Sequence, residues 1–324
     1  MQWTSCLNLR GINMVLFSVV IPSYNRSDMT VDAVNSVLAQ TLQDFEIIVV
    51  DDGSTDNTST VLSEFGDLIT YHKQVNSGVA FARNQGVALS TGRYICYLDS
   101  DDIWHTEKLA MYKDALDTSP EIAFLFSDFH KHDITLPEPY TLSNSDMFPY
   151  IYNLARNQEG KLFTIEGEDL LRLLFNGYPL YPSTFAIRRD VHDHFRWDPG
   201  ILKSEDFNFV LKVSRKYDFA YLSQSLTTVR VHDSNKSADF LTKNHVNLFS
   251  MKLYRDLYVK KDVRSLCNFY ISQKQFGMGK SYLQHGLLKL GVSHIFQSLL
   301  YRENWKRLIK RVFAKPSEEQ QRVE

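Results

Sequence analysis

The segment formed by residues 76–102 constrains the fold of this chain more than any other. Its first half has apolar residues at helical spacing, followed by Gly92, which the pattern predicts as a left-handed residue that ends a helix. The next run, residues 94–98, is apolar and rich in β-prone side chains, and its length suits a strand buried on both faces. The segment therefore predicts a helix, a turn and a buried strand of an α/β fold.

Three carboxylates, Asp99, Asp101 and Asp102, follow this strand within four residues. Like charges this close repel one another, so the cluster costs stability unless a cation or hydrogen-bond donors lie among them. Acidic residues at a turn are usually just solvated. At the carboxyl end of a buried strand in an α/β pattern, however, they lie where open sheets bind ligands. The cluster therefore favours a metal site over a solvated turn.

Strand and helix patterns alternate through the first part of the chain. Apolar strands are expected over residues 15–21, 45–50 and 68–72, with amphipathic helices after the first two. This alternation predicts a doubly wound, mostly parallel sheet flanked by helices. Acidic or polar clusters fall where strands end, so several loops are expected to converge on one edge of the sheet.

Composition restricts the class of protein. Hydrophobic residues make up 44% and charged residues 23% of the 324 residues, which is ordinary for a globular protein. The net charge of −2 gives no reason to expect a nucleic-acid partner. The three cysteines are far apart and match neither a disulfide framework nor a metal-ligand set, which favours a reducing, cytosolic setting. No apolar run in the sequence reaches the length of a membrane span.

Four blocks carry a resemblance to a known family. They are SVVIPSYNR at residues 18–26, DFEIIVVDDGSTD at 44–56, the segment 76–102 and SED at 204–206. In this order they resemble the family 2 glycosyltransferases, inverting enzymes that use nucleotide-sugar donors, here of the bacterial surface-polysaccharide type. The resemblance covers about residues 15–235. It implies an α/β fold of GT-A type, with a C-terminal helical extension.

The resemblance and the helical pattern after it divide the chain into parts. These are an unpatterned leader (1–13), a GT-A catalytic domain (14–237) made of a donor half (14–130) and an acceptor half (131–237), a helical C-terminal region (238–314) and a disordered polar tail (315–324).

The family's donor-binding residues fall on the first two strand-end loops. The resemblance implies that Pro22, Tyr24 and Asp52 hold the nucleoside, with the carboxylate accepting an imide N–H of uracil and the tyrosine ring covering the base. A packing aromatic beside a turn is the alternative for Tyr24. The resemblance also places Arg83 near the donor phosphates, and a helix-surface arginine is the alternative there.

A divalent ion is implied by the same resemblance. The sequence Asp99-Ser100-Asp101 matches the Asp-x-Asp signature, in which Asp101 contacts Mn²⁺ or Mg²⁺ and Asp99 holds the ribose or joins the metal shell. His232 lies in a turn that resembles the family's Arg-x-His turn, where it would reach the metal or the diphosphate. A solvent-facing histidine at a strand end is the alternative.

Glu205 and Asp206 match the family's acidic pair beside the acceptor. Inversion by single displacement needs one base to take the proton of the acceptor hydroxyl, and this role is assigned to Asp206, with Glu205 as the next candidate. The alternative is that the two acids only complement the N-terminus of a helix.

The resemblance therefore implies an inverting, metal-dependent glycosyltransferase. It would move a sugar from a UDP-sugar to a hydroxyl of a glycan or lipid-linked acceptor in polysaccharide, capsule or lipopolysaccharide synthesis. The Gln-x-x-Arg-Trp motif of processive members is missing, so single addition is expected. A sugar-phosphate nucleotidyltransferase is one alternative, although residues 23–26 lack its glycine-rich, lysine-bearing loop. A non-catalytic scaffold of the same fold is the other.

Residues 301–313 have the pattern of an interfacial membrane helix. An apolar stripe opposes basic residues; the stripe is Tyr301, Trp305, Leu308 and Val312, and the basic residues are Arg302, Lys306, Arg307, Lys310 and Arg311. A helix docked on the protein with a solvated basic face is the alternative. The expected location is the cytoplasm, with contact to the inner face of the membrane.

Overall fold

The structure is a computed structural model, in which the chain divides into two compact units, residues 1–235 and 236–324. The leader and the C-terminal stretch from residue 302 onward, including most of the predicted interfacial helix, lie outside the described residues. The described residues are 14–136, 141–149, 151–154, 157–176, 180–201, 203–232, 240–257 and 261–301.

The first four strands form the parallel part of the sheet, in the order β3-β2-β1-β4. They are β1 (Phe17–Ser23), β2 (Phe45–Asp51), β3 (Thr70–Lys73) and β4 (Tyr94–Tyr97), and helices α1 (Ser27–Leu38), α2 (Thr58–Ser63) and α3 (Val79–Leu89) lie between them in sequence. All residues of β1 and β4 are buried, as expected for strands covered on both faces. The predicted strand bounds differ from the observed ones by at most two residues.

The rest of the first unit extends this sheet. It contains β5 (Ile103–Trp104), α4 (Lys108–Thr118), β6 (Phe124–Asp133), β7 (Thr141–Ser143), α5 (Asn144–Met147), α6 (Ile151–Leu154), β8 (Asn157–Glu159), β9 (Leu162–Ile165), α7 (Gly167–Asn176), β10 (Phe185–Arg188), α8 (Arg189–His194), α9 (Glu205–Val213) and β11 (Phe219–Val231). The sheet continues from β4 in the order β10-β6-β11-β9-β8, with β5 beside β11 and β7 beside β6.

The predicted α/β class, with a mostly parallel central sheet flanked by helices, is confirmed. Strand β10 is antiparallel to both β4 and β6, whereas β6 and β11 pair in parallel. Because β10 runs antiparallel beside β4, the turn before β10 lies next to the loop that follows β4. This placement brings Ser183, which lies in that turn, to the carboxylate cluster.

The reason for Gly92 differs from the prediction. Helix α3 ends at Leu89, and the next residue, Ser90, is extended with φ −79° and ψ 153°. Gly92 is not among the residues with positive φ. A Cβ at Gly92 would lie 2.6 Å from the backbone nitrogen of Ser18, so the position requires glycine because the chain approaches β1 closely.

A buried lysine joins three elements of this unit. The Nζ of Lys108 donates to the Tyr112 hydroxyl (3.0 Å), Ser127 Oγ (3.3 Å) and Thr227 Oγ1 (2.9 Å), from α4, β6 and β11. Burial lowers the pKa of Lys108 to about 7. The three hydroxyls accept its hydrogen bonds, and they thereby fix β11 against the helix that follows the carboxylate cluster.

The second unit is helical, as predicted for the C-terminal region. It contains α10 (Phe240–Arg255), α11 (Lys261–Gln284) and α12 (Leu288–Leu299). Helices α11 and α12 approach closely at Gly279 and Gly291, where a Cβ on Gly279 would lie 2.9 Å from the Gly291 carbonyl oxygen. Within the part of the chain that the structure describes, no helix combines the length and the apolar character that crossing a bilayer requires.

Candidate active site

The loops after β1 and β2 are held together by Asn25. Its side-chain oxygen accepts from the Thr55 N–H (2.7 Å), and its own N–H donates to Ser54 Oγ (2.9 Å). Asn25 has φ +50°, a left-handed conformation that asparagine tolerates better than most residues. The two loops that were predicted to hold a nucleoside therefore form one continuous rim.

Asp52 organises the start of α3. Its Oδ1 accepts from the Ser77 N–H (2.8 Å) and from Gln74 Nε2 (2.7 Å), and its Oδ2 accepts from the Gly78 N–H (2.8 Å). A carboxylate oxygen has two lone pairs, so Oδ2 can accept one more hydrogen bond. Asp52 thus shapes the loop before α3 and keeps one acceptor position for a ligand N–H.

The other two predicted nucleoside contacts differ in exposure. Tyr24 is 39% exposed, so its side chain is partly accessible to solvent. Pro22 is buried inside β1, opposite Val50 of β2, and its contribution is to hold the strand end.

Arg83 joins Asp99 of the carboxylate cluster to Glu205 at the start of α9. Its Nη2 donates to Asp99 Oδ1 (2.7 Å), and its Nη1 donates to Glu205 Oε1 (2.9 Å). The side chain is only 2% exposed, so the helix-surface alternative is wrong. Burial disfavours the charged guanidinium, but the two carboxylates more than offset this and raise the pKa of Arg83 above its usual value.

Trp197 fixes the position of this guanidinium. The Cζ atom of Arg83 lies 4.5 Å from the centre of the Trp197 ring, a cation–π contact. Asn84 donates to the Trp197 carbonyl (2.8 Å) and accepts from its N–H (3.1 Å), while the indole N–H donates to the Tyr97 hydroxyl (3.0 Å). Phe209 stacks on the indole at 4.3 Å between ring centres.

Asp101 meets two cationic or proton-donating side chains. Its Oδ2 accepts from Arg26 Nη1 and lies 3.0 Å from His232 Nε2. His232 is buried, so the solvent-facing alternative is wrong. The structure therefore brings together Asp101 and His232, two of the three predicted metal ligands, through a contact at Asp101 Oδ2.

Asp102 holds the carboxylate turn in place through hydrogen bonds to Ser183 and Arg230. Its Oδ2 accepts from the Ser183 hydroxyl, which also accepts from the Asp99 N–H (3.0 Å), and its Oδ1 accepts from the Arg230 N–H (3.1 Å). The Arg230 Nε donates to the Asp101 carbonyl oxygen. Burial, together with the charges of Asp101 and Asp99, raises the pKa of Asp102 well above its usual value. Asp102 is thus a structural residue that fixes the position of the carboxylate turn relative to Ser183 and Arg230.

Burial also raises the pKa of Asp99, and the positive charge of Arg83 opposes this shift. The carboxylate of Asp99 is bound to Arg83, and it does not join Asp101 and His232 in a common cluster. Among the described residues, no group of three or more His, Cys, Asp or Glu side chains is arranged as a complete metal site.

Glu205 and Asp206 open α9 in an unusual backbone setting. Ser204, the residue before them, has φ +56° and ψ 34°, a left-handed conformation that is costly for a residue other than glycine. Glu205 Oε1 accepts a hydrogen bond from Arg83, whereas Asp206 Oδ1 accepts one from the Phe207 N–H (2.8 Å). Asp206 is half-buried.

Four residues of this site were not predicted. Arg26 and Arg230 lie inside or next to recognised motifs, so a cation close to an acidic cluster was the signal that could have found them. Ser183 and Trp197 contact the site from far along the chain, 84 residues from Asp99 and 113 residues from Asn84. Their local sequence carries no comparable signal.

The donor set fits a divalent ion that shares its coordination shell with a ligand. Mg²⁺ and similar ions are usually held by one or two protein groups together with phosphate oxygens and water. Asp101 and His232 would supply an oxygen and a nitrogen to such an ion, with Arg26 as a further positive charge beside them.

Comparison with known proteins gives matches to one family. The family model described as glycosyl transferase family 2 matches residues 18–195. An uncharacterized glycosyltransferase of Rickettsia typhi is 30% identical over 232 residues, which are 68% of this chain and 65% of that protein. A putative teichuronic acid biosynthesis glycosyltransferase of Bacillus subtilis, TuaG, is 43% identical over 99 residues, 29% of this chain and 39% of the relative.

The chain spans a smaller part of three other curated relatives, glycosyltransferases of Rickettsia species. The matched residues are 24%, 18% and 16% of the lengths of these proteins. Two solved structures have the same fold. S. aureus TarS residues 1–349 in complex with UDP-GlcNAc gives a TM-score of 0.57 at 16% identity, covering 90% of this chain and 92% of that one. A mannosyltransferase of Pyrobaculum calidifontis in complex with GDP-Man and Mn²⁺ gives 0.55 at 13% identity, covering 94% and 88%. The chain has a GT-A fold and belongs to glycosyl transferase family 2.

Proposed function

We propose that this protein is an inverting glycosyltransferase that moves a sugar from a UDP-sugar to an acceptor hydroxyl. The observation that carries the proposal is the position of Arg83. It binds Asp99, the acid assigned to the donor, and Glu205, the neighbour of the assigned base, through hydrogen bonds of 2.7 and 2.9 Å. One buried guanidinium thus fixes the donor side and the acceptor side at the same point.

Donor binding is assigned to the rim formed by the first two loops. The free lone pair of Asp52 Oδ2 accepts the imide N–H of uracil, and the exposed ring of Tyr24 covers the base. Pro22 keeps the end of β1 in place. A UDP-sugar is the favoured donor because uracil offers the single N–H donor that this carboxylate can still accept, and the TarS neighbour carries UDP-GlcNAc.

Asp101 and His232 would hold Mn²⁺ or Mg²⁺, and Asp99, which Arg83 holds apart from them, would bind the ribose. When bound, the ion supplies positive charge that stabilises the departing diphosphate. Arg26 adds a fixed positive charge at the Asp101 carboxylate. The mannosyltransferase neighbour is described with Mn²⁺, which supports a metal of this type.

Asp206 acts as the general base. The acceptor oxygen forms the new bond to the anomeric carbon as the bond from that carbon to the diphosphate breaks, and the hydroxyl proton goes to the Asp206 carboxylate. Glu205 is a positioning residue, because its carboxylate is engaged by Arg83. No enzyme nucleophile takes part, so the configuration at the anomeric carbon inverts.

The acceptor is a glycan or a lipid-linked glycan in bacterial polysaccharide, capsule or lipopolysaccharide synthesis, with one sugar added per reaction. This is supported by the similarity to TuaG, which is named for teichuronic acid biosynthesis. We place the reaction in the cytoplasm, at the inner face of the membrane, because the sequence after Leu300 combines apolar and basic residues.

A panel of nucleotide sugars, incubated with the full-length protein with and without Mn²⁺, tests the proposal. We expect metal-dependent release of UDP from at least one UDP-sugar, at a rate above that of the Asp101→Asn variant. Pyrophosphate release from UTP and a sugar phosphate would instead identify a nucleotidyltransferase. No turnover of any donor would identify a non-catalytic scaffold.

A further inference from the structure

Helix α12 presents an apolar face to solvent. Leu288, Val292, Phe296 and Leu300 follow one another at intervals of four residues, and each is between 61% and 70% exposed. Residues four apart lie on the same side of a helix, so these four side chains form one stripe. We call them the α12 stripe.

The polarity of α12 is the reverse of that of an ordinary surface helix. Its buried positions are Gly291 and Ser298, and Gly291 lies against α11. A helix of a globular protein normally turns its large apolar residues toward the core and its small or polar ones outward. A contiguous exposed apolar face of this kind marks a surface that binds a partner.

The charge of this part of the chain indicates the kind of partner. Residues 288–314 contain six Lys and Arg residues and one Glu, a net charge of +5, whereas the whole chain has a net charge of −2. The positive charge is therefore concentrated in the segment that begins with the α12 stripe. An apolar stripe next to clustered basic residues has the composition of surfaces that bind anionic membranes.

We propose that the α12 stripe docks on the surface of an anionic lipid bilayer. A second copy of the chain is the main rival occupant. In a dimer each copy would carry a net charge of +5 in residues 288–314, and like charges on the two copies oppose association. An anionic bilayer removes this repulsion and accepts the apolar side chains at the same time.

The proposal identifies the surface behind the membrane location proposed above, and it does not depend on the transfer chemistry. Vesicle binding and donor hydrolysis are therefore measured on the same samples. If the wild type binds vesicles but hydrolyses no donor, the enzymatic proposal alone is contradicted. If the wild type hydrolyses a donor but binds no vesicles, the docking surface alone is contradicted.

The test is co-sedimentation of the full-length protein with vesicles of phosphatidylcholine, with and without phosphatidylglycerol. The variant Val292→Gln with Phe296→Gln removes the centre of the stripe, and both positions are exposed, so the fold should tolerate the change. The matched control is Phe249→Gln on α10, because Phe249 is also 61% exposed.

We expect the wild type and Phe249→Gln to bind the anionic vesicles, with binding that weakens in high salt. We expect the double variant to bind at least about tenfold more weakly, since two large apolar side chains leave the interface. Equal binding of the double variant and the wild type would overturn the proposal, as would absence of binding by the wild type. A wild-type dimer that the double variant converts to a monomer, seen by light scattering, would assign the stripe to a second copy.

Discussion

Replacing Arg83 by Gln should destabilise the first unit more than any substitution at an exposed ion pair. The guanidinium donates to Asp99 at 2.7 Å and to Glu205 at 2.9 Å, and its side chain is 2% exposed. Removing one partner of a buried ion pair costs about 3–5 kcal/mol because the remaining charge stays in a poorly solvated site. The carboxylates keep some solvent contact, at 29% and 13% exposure, so we expect a loss near the lower limit, about 3 kcal/mol.

Urea unfolding followed by tryptophan fluorescence measures this loss. The matched control is Lys113→Gln, which breaks an i,i+4 pair with Asp117 whose side chains are 41% and 64% exposed. An exposed pair of this kind contributes far less than a buried one, because water solvates both charges. If Arg83→Gln loses no more stability than the control, the buried guanidinium does not hold the site together and our reasoning is refuted.

The same variant should respond to pH in a defined direction. Burial raises the pKa of Asp99 and Arg83 opposes the shift, so removing Arg83 raises the pKa further. An acid whose pKa is higher in the folded state than in the unfolded chain stabilises the fold at low pH, and this contribution is lost as the pH rises. The deficit of Arg83→Gln relative to the wild type should therefore shrink as the pH falls from 8 toward about 5. A deficit that grows on acidification would contradict the assigned cause.

Substitutions at three further residues test separate parts of the account. Asp206→Asn should lower sugar transfer by about 10²–10⁴-fold while UDP and Mn²⁺ still bind, and transfer within a few-fold of the wild type would move the base to Glu205. Trp197→Leu should lower kcat more than it raises the KM for the donor, because the guanidinium of Arg83 loses the ring that supports it. Trp197→Phe keeps an aromatic ring and should recover part of the rate. Equal rates for the two variants would show that Trp197 is only a packing residue. Between pH 7 and 10 the folded state loses the Lys108 proton, whereas the unfolded chain keeps it. As the pH rises through this range, chemical denaturation should therefore show the wild type gaining stability relative to Lys108→Met, at up to about 1.4 kcal/mol per pH unit. If the free energies of unfolding of the two proteins change in parallel with pH, the pKa of Lys108 lies elsewhere.

The sequence predicted features that depend on neighbouring residues along the chain. The strands up to β4 have a strong apolar pattern, and the carboxylates Asp99 and Asp101 follow β4 directly. The Glu205-Asp206 pair opens a helix with clear apolar spacing. In each case the physical cause, strand burial or helix amphipathicity, acts within a short segment, and the segment itself carries the information.

Other features depend on contacts that no local pattern encodes. Gly92 is needed because β1 passes within 2.6 Å of the position of a Cβ, and the sequence suggested a helix end instead. The burial of Arg83 follows from Trp197, whose backbone is held by Asn84 from 113 residues away. The contact of Arg26 with Asp101 follows from the parallel pairing of β1 and β4, which places the loops after these strands side by side.

Calorimetric titration with UDP, with and without Mn²⁺, tests most directly whether Asp101 is the metal-binding centre of a nucleotide-sugar enzyme. The comparison uses the wild type, Asp101→Asn and, as a control, Asp117→Asn, which changes an exposed carboxylate of the α4 ion pair. We predict that Mn²⁺ strengthens UDP binding in the wild type and in the control, and that Asp101→Asn abolishes this effect while the protein stays folded. Metal-dependent UDP affinity that is unchanged in Asp101→Asn would contradict the account.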